Sequence, residues 1–484
     1  MTRPSTPADS PDPGTLAARL WLALAEQGGR VASLERQLAQ VRSSRSWRIT
    51  APLRALANRL RPAGRTAGAP LEAPGLEAVA GVREGQPPPR LLPDEPQHGP
   101  RLLVDVTELA LDDLGAGVQR VTRRVLAELL ISPPAGRAVT PIRLTPGGRY
   151  CHARAFLASF TGAARHSLGP DAPLVPRADD RFLGLDFCRD RSSDLAPAVA
   201  ALRQAGASAC FLVHDMLPLE HPHWFPDGVA ERFEKWLRVL GAQADLAICV
   251  SRVTADALAA ALARRGLASP PSGIVVVTPG CDLWPVPAPP VPPLPERAAG
   301  RLRVLTVGTV EPRKGHDQAL GAFECLWARG MDIEWVIVGH PGWGEGDLLR
   351  RLRNHPEAGR RLHWLEDADD RALAALYGQA DLLLAPTRGE GFGLPVAEAG
   401  ATGLGLLLRD LPVFHEVAGE AATYFRGDSP AAIADALREW RAAGHAGRPT
   451  RRWTTWEQSA EQIKAVVAGM APRATAATNC RSNG

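Results

Sequence analysis

Glu390 and Glu398 stand eight positions apart around a glycine-rich turn, in DLLLAPTRGEGFGLPVAEAG. Asp381–Ala385 is an apolar run of strand length. The pattern then places Pro395 at the first helical position, where a missing N–H costs nothing, and Glu398 on the first turn of that helix. Gly391 and Gly393 let a backbone approach a ligand closely. The N–H groups of Phe392, Gly393, Leu394 and their neighbours up to Val396 point outward from a positive helix end, ready for phosphate. One carboxylate can face a bound sugar while the other accepts hydrogen bonds from ribose hydroxyls. A Glu pair alone at this spacing is more simply helix-end electrostatics; the turn between the two favours a ligand.

A second candidate follows the apolar run RVLTVG, where Thr309-Val310-Glu311-Pro312-Arg313-Lys314-Gly315 leaves the strand end. Adjacent Arg313 and Lys314 suit a diphosphate, Arg as a bidentate fork and Lys as a point charge. Lysine occurs only at 235, 314 and 464, so this one draws notice. The plain alternative is a solvated loop with ordinary surface cations. In open α/β sheets, ligands bind outside the carboxyl ends of the strands, and both segments leave such ends.

These residues need a scaffold. From residue 100 onward, LLVDV, ACFLVHD, LAICVS, GIVVVTP, RVLTVG, IEWVIVG and DLLLAP read as strands. Helical patterns such as Val118–Leu130, Val229–Leu240 and Asp256–Arg265 lie between them. Near-continuous apolar strands alternating with helices predict parallel sheets covered on both faces. A proline-dense stretch at 285–299 separates two such series and reads as a hinge. The expected class is therefore α/β, with two doubly wound Rossmann-like domains, 100–284 and 300–450, followed by a C-terminal helix at 451–470 and a tail at 471–484. Residues 1–14 read as disordered and 62–99 as a linker. Between them, 15–61 reads as helical: 15–41 carries a heptad-like stripe fit for self-association, and 42–61 mixes Trp47, Ile49 and leucines with six arginines. A basic amphipathic helix of that kind can lie on an anionic membrane or pack on protein.

Composition excludes several classes. Apolar residues at 45% and charged residues at 22% are ordinary for a globular chain, not a disordered one. A net charge of +4 over 484 residues is too small for a dedicated nucleic-acid binder. No apolar run is long enough to span a bilayer, and the N-terminus lacks a secretory pattern. Seven cysteines without a CxxC pair support neither a zinc site nor a disulfide framework, so the expectation is a cytoplasmic protein. No GxGxxG follows a strand with an acid about 20 residues on, which argues against a dehydrogenase.

GEGFGLPVAEAG resembles the E-x7-E signature of the retaining GT-B glycosyltransferases, in particular family 4, and VGTVEPRKG resembles that family's phosphate-binding segment. EVAGEAATYF and DLAICVSRVTADAL are similar to further segments of the family. GVQRVTRRVLAELL and FLVHDMLPLEHP resemble bacterial mannosyltransferases that build surface polysaccharides. The resemblance covers about 100–470 and implies a GT-B fold, two Rossmann-like domains facing a cleft. It implies that Arg313 and Lys314 hold the donor diphosphate, that Glu390 contacts the donor sugar and that Glu398 binds the ribose. The amides of Gly391, Phe392, Gly393 and Leu394 would line the donor site. His214, at the end of a predicted strand, would touch the donor sugar, and Gly115 and Gly117 would form the glycine-rich loop over the donor phosphates.

The implied activity is retaining transfer of a hexose from a nucleotide sugar, mannose from GDP-mannose as first guess, without metal or other cofactor. The acceptor would be a growing, lipid-linked glycan at the inner membrane face. Three places depart from the family pattern: Thr309 stands where Arg is common, Gly405 and Arg409 stand where Pro and a small residue are common, and Gly400 stands where Met is common. The latter two put the packing behind Glu398 in doubt and leave a non-catalytic scaffold as an alternative, beside another GT-B enzyme such as an epimerase or an inverting transferase. Asp367-Ala368-Asp369 is formally a metal-binding DxD, but it precedes an amphipathic helix, so Asp369 or Asp370 reads better as an N-cap. His221 and His223 have no matching ligand set and read as loop residues.

Overall fold

A computed structural model describes residues 99–470, apart from 114, 116, 164–167, 188, 190, 284–293, 295–296, 345 and 445–450. The self-association and membrane-contact segments, 15–41 and 42–61, lie outside the described residues, as does most of the hinge. Among the described residues, 99–153 and 172–470 belong to one compact unit; Arg154–Asp171 belong to a second, and carry a short helix, Arg154–Phe160, on which Phe156 and Phe160 stack at 5.5 Å.

The first half of the main unit begins with β1 (Arg101–Asp105), α1 (Thr107–Leu111), α2 (Gly117–Ile131), β2 (Ala138–Thr145) and β3 (Arg149–His152). With Arg154–Phe160 counted as α3, it continues through β4 (Arg181–Gly184), α4 (Ser192–Gln204), β5 (Ser208–Val213), α5 (Leu217–Glu220), α6 (Val229–Gln243), β6 (Leu246–Cys249), α7 (Arg252–Arg264) and β7 (Ile274–Val276). The second half comprises β8 (Leu302–Val307), α8 (His316–Ala328), β9 (Ile333–Val338), α9 (Gly346–Arg353), β10 (Leu362–Leu365), α10 (Asp370–Gln379) and β11 (Leu382–Ala385). It ends with α11 (Leu394–Ala401), β12 (Gly405–Arg409), α12 (Pro412–Ala418), β13 (Thr423–Phe425), α13 (Pro430–Ala442) and α14 (Trp456–Ala468).

The first sheet has the order β3-β2-β1-β4-β5-β6-β7 and the second β10-β9-β8-β11-β12-β13. Both reverse direction once, between β1 and β4 and between β8 and β11, which is the doubly wound pattern. All pairings in the second sheet are parallel, and its central strands are buried along their length because helices cover both faces. The first sheet departs from the all-parallel expectation at one edge, where β3 pairs antiparallel with β2 across the turn at Gly147-Gly148. β2 and β3 escape the apolar-run criterion because β2 contains Pro141 and β3 is short and polar. The helix expected from Asp256 begins instead at Arg252, because Ser251 caps it by accepting the Thr254 N–H at 3.0 Å.

Each half has its own core. Phe182, Phe211, Trp236, Leu237 and Leu240 fill the first, and Trp335, Phe323, Leu326, Leu384 and Leu407 fill the second. Trp335 lies flat on Phe323 at 4.8 Å and donates its indole N–H to Thr306 Oγ1 at 2.9 Å, so its one polar atom is satisfied. α14 crosses back from the second half to pack on α2 of the first, where Lys464 reaches the Ser132 carbonyl at 2.9 Å. Among the described residues no helix is long and apolar enough to cross a membrane.

Candidate active site

The β8/β11 reversal opens a crevice at the strand ends. Two loops fill it. After β8, the chain runs through Gly308 to a 3₁₀ turn, Pro312–Lys314, and into α8. After β11 it runs from Pro386 to Gly393 and into α11. The loops are laced together: the Arg388 N–H donates to the Arg313 carbonyl at 2.7 Å, and the Thr387 hydroxyl donates to the same carbonyl at 3.1 Å. Gly315 makes this contact possible. It has φ +70°, and a Cβ there would come 2.4 Å from the Pro386 carbonyl oxygen.

Glu390, Arg313 and Lys314 meet at this junction. Lys314 Nζ lies 2.5 Å from Glu390 Oε1, and Arg313 Nη1 lies 3.2 Å from Oε2 while also donating to the Gly389 carbonyl at 3.0 Å. Glu311 pairs with the other side of the guanidinium at 2.7 Å. Burial pushes the Glu390 pKa up, but Lys314 and Arg313 more than compensate and hold it below the usual carboxylate range. Burial would likewise lower the Arg313 pKa; Glu390, Glu311 and Asp215 overcome it and keep the guanidinium charged. Glu311 and Asp215 go the other way, both raised chiefly by burial. The result is a dry, almost neutralised ionic cluster whose two cations an incoming phosphate could recruit.

The first half supplies the opposite wall. His214 follows β5 directly and is packed in, with Nε2 2.7 Å from the Leu185 carbonyl. Burial depresses its pKa to about 4, so the ring is neutral and its Nε2–H is the donor. The His214 carbonyl faces Gly391 so closely that a Cβ there would lie 1.8 Å from the oxygen. Ser251 Oγ and Thr254 Oγ1 donate to the Gly391 carbonyl at 2.6 and 3.1 Å. Glu416 on α12 accepts the Arg252 and Val253 N–H groups at 2.6 and 3.1 Å, capping α7 across the cleft.

Glu398 differs from its expectation. It sits on the second turn of α11, because Gly393, at φ +89°, is the N-cap, Leu394 takes the first helical position and Pro395 the second. Its carboxylate is buried, accepts the Tyr377 hydroxyl at 2.9 Å and pairs with Arg120 of α2 at 3.1 Å. Burial raises its pKa, with Arg120 opposing. Arg120 also pairs with Asp370 at 3.3 Å. Phe392 and Leu394 are buried, packed into the wall rather than displayed. Gly115 has φ +65° and its nearest side-chain neighbour is His340, while Gly117 simply opens α2 with open space beside it. Asp369 caps α10 by accepting the Ala372 N–H at 2.8 Å, and Asp367 lies 3.5 Å from His340. His221 closes α5 and His223 belongs to a 3₁₀ turn, Pro222–Trp224, rather than to an open loop.

Residues that sequence reasoning gave no role are as prominent as those it named. Glu311 and Asp215 flank the cluster, and Arg120 and Tyr377 hold Glu398. The first three lie within quoted motifs, so inspecting every charged residue of EPRKG, LVHD and GVQR would have found them. Tyr377 has no such signal.

Two doubly wound sheets with this crevice define a GT-B chain. Residues 295–448 match the family described as "Glycosyl transferases group 1". The chain is 39% identical over 393 residues to the serotype-specific mannosyltransferase WbdA of Escherichia coli, a match covering 78% of this chain and 48% of that one. It is 33% identical over 179 residues to the phosphatidyl-myo-inositol mannosyltransferase of Mycobacterium tuberculosis, covering 33% of this chain and 45% of that one. The chain spans about half the length of these curated relatives. The crystal structure of Anabaena Alr3699/HepE in complex with UDP and glucose shares the fold, with a TM-score of 0.53 at 15% identity, over 77% of this chain and 100% of that one.

Proposed function

We propose that this chain transfers a hexose, mannose from GDP-mannose as first choice, from a nucleotide sugar to a growing glycan with retention of configuration. The observation that carries the reading is the Arg313–Lys314–Glu390 cluster at the β8/β11 crevice, walled by His214 and Gly391. Arg313 and Lys314 are placed to turn from Glu390 to a diphosphate and to stabilise the charge that grows on it as the glycosidic bond breaks. The acceptor hydroxyl attacks from the face the diphosphate leaves, and a departing phosphate oxygen takes its proton. His214, neutral and fixed by Leu185, suits a hydrogen-bond role toward the sugar rather than a charged one. Glu398 binds the ribose only if it exchanges Arg120 for the two hydroxyls, so donor entry and loosening of this cross-cleft pair go together in this reading. No metal or other cofactor is invoked. The mannosyltransferase names of the relatives support the choice of sugar. The basic segment 42–61 would place the enzyme at an anionic membrane face, beside a lipid-linked acceptor.

Thermal unfolding in EDTA with GDP, UDP, ADP and their sugars tests this. A ligand at 100 times its Kd stabilises by about 2.7 kcal/mol. A shift with one nucleotide family supports the reading and identifies the base. No shift with any of them removes it.

A further inference from the structure

Beside the reaction cluster lies a strip of aromatic rings that the donor chemistry leaves unused. His221 stacks on Trp224 at 4.0 Å, His223 meets Trp224 edge-on at 5.6 Å, and Phe225 stacks on Trp343 at 6.1 Å. Trp343 comes from the second half and donates its indole N–H to the Trp224 carbonyl at 2.8 Å, which locks the two sides together. The rings are only partly covered, and His223 is exposed. The strip abuts the cluster at two points. The Trp224 ring covers Gly389, where an added Cβ would come within 2.8 Å of it, and Gly389 immediately precedes Glu390. The turn carrying Trp343 rests on the Arg313 loop, since a Cβ at Gly342 would lie 2.7 Å from the Val310 carbonyl oxygen and one at Gly344 3.1 Å from Pro312.

Such a strip suits a pyranose. A sugar ring presents an apolar C–H face, which the electron-rich face of an aromatic ring attracts, and a rim of hydroxyls, which imidazole nitrogens can hydrogen-bond. A lipid-inserting patch would instead carry exposed aliphatic side chains. The exposed large hydrophobics among the described residues, Leu111 and Val175, lie elsewhere. The Trp343–Trp224 hydrogen bond and the 3₁₀ turn at Pro222–Trp224 hold the rings in place before any ligand arrives, which reduces the ordering cost of binding.

We propose that His221, His223, Trp224, Phe225 and Trp343 form the subsite for the acceptor glycan, seating a pyranose ring next to Glu390. The inference rests on the glycosyltransferase reading. The test is saturation-transfer NMR on the full chain with α-linked mannotriose and with maltotriose, beside nucleotide thermal shifts on the same samples. One trisaccharide should bind the wild type. Trp343→Ala and His223→Ala should each weaken it about tenfold, while Trp343→Phe, which keeps a stacking face but loses the indole N–H that fixes Trp224, should weaken it less than Trp343→Ala. The unfolding temperatures confirm that the variants fold, and His223 is exposed enough for its replacement to be safe. Neither trisaccharide binding, or both alanine variants binding as the wild type does, with nucleotide shifts intact, overturns this subsite alone. Loss of every nucleotide shift overturns the reading beneath it. If Trp343→Ala instead releases the chain from phosphatidylglycerol vesicles and leaves trisaccharide binding unchanged, the strip is a lipid contact and the proposal fails.

Discussion

Glu390 is the residue on which the site turns, since it alone satisfies both buried cations from the β11 side. Lys314→Ala and Glu390→Gln should each lower transfer at least about 10²-fold, the scale of a lost oxyanion stabiliser. Wild-type rates in both would remove the assignment. His316, two residues on, makes a separate prediction. It is buried, neither ring nitrogen finds a partner among the described residues, and burial with Lys314 nearby depresses its pKa to about 3. The unfolded chain therefore binds its proton near pH 6.5 and the folded one does not. The neutral ring's contribution is complete above about pH 6.5 and is lost as pH falls toward 3. Asp186, raised to about 8 chiefly by burial, works in the opposite direction, so the difference between two proteins is the readout. Between pH 6 and 4, His316→Phe should lose stability more slowly than wild type, by up to about 1.4 kcal/mol per pH unit in urea unfolding. Parallel pH profiles would contradict the assigned shift. At this scale Arg313 and Lys314 were legible because adjacent cations at a strand exit suit a phosphate, and Glu390 because it stands beside a glycine-rich strand-to-helix turn. Glu398 was legible as a residue but not in its surroundings, because Arg120 lies 278 positions away in sequence.

At the scale of elements, the departures from the family pattern turn out to be matched by their neighbours. A Cβ at Gly400 would lie 2.0 Å from the Trp453 ring, and one at Gly405 2.6 Å from Trp440, so each glycine makes room for an indole. Arg409 is buried at the end of β12, with its Nε donating to the Pro386 carbonyl at 3.0 Å, Nη1 to the Gly427 carbonyl at 2.9 Å, and Nη2 to Gln318 of α8. It therefore braces the start of the Glu390 loop against the helix that follows Lys314. At Gly400, Gly405 and Arg409 these substitutions are accommodated by contacts that no local pattern could reveal. Two glycines give a matched pair of predictions. Gly391→Ala has to displace the His214 carbonyl and should destabilise by about 1–3 kcal/mol, the usual cost of overpacking. Gly378→Ala, exposed on α10 with open space beside it, should stabilise by about 1 kcal/mol through helix propensity. Denaturant midpoints of the two variants check both signs. A stable Gly391→Ala would mean that the two halves do not meet as closely as described.

At the scale of the whole molecule, α14 packs on α2 of the first half, and across the cleft the two halves meet through polar contacts: Ser251 and Thr254 to Gly391, Glu416 to the start of α7, Arg120 to Glu398, and Trp343 to Trp224. A seam of single hydrogen bonds and ion pairs is suited to opening and reclosing around a ligand. The membrane contact proposed for 42–61 makes a separate prediction. Removing residues 1–61 should release the protein from anionic vesicles and leave its nucleotide-induced thermal shift unchanged. Retained vesicle binding would move the contact elsewhere in the chain.

The sequence by itself determined the α/β class, the presence of two strand–helix series and the loops that bear Glu390, Arg313 and Lys314. These follow from local apolar periodicity, turn residues and the strand-end rule, all of which act within a few tens of residues. Only the tertiary structure decided what those residues touch. The antiparallel edge at β3, the hold of Arg120 and Tyr377 on Glu398, the closeness of Gly391 to His214 and the aromatic strip from two halves all depend on which distant segments meet. That is set by the packing of whole sheets and helices, and no spacing along the chain records it.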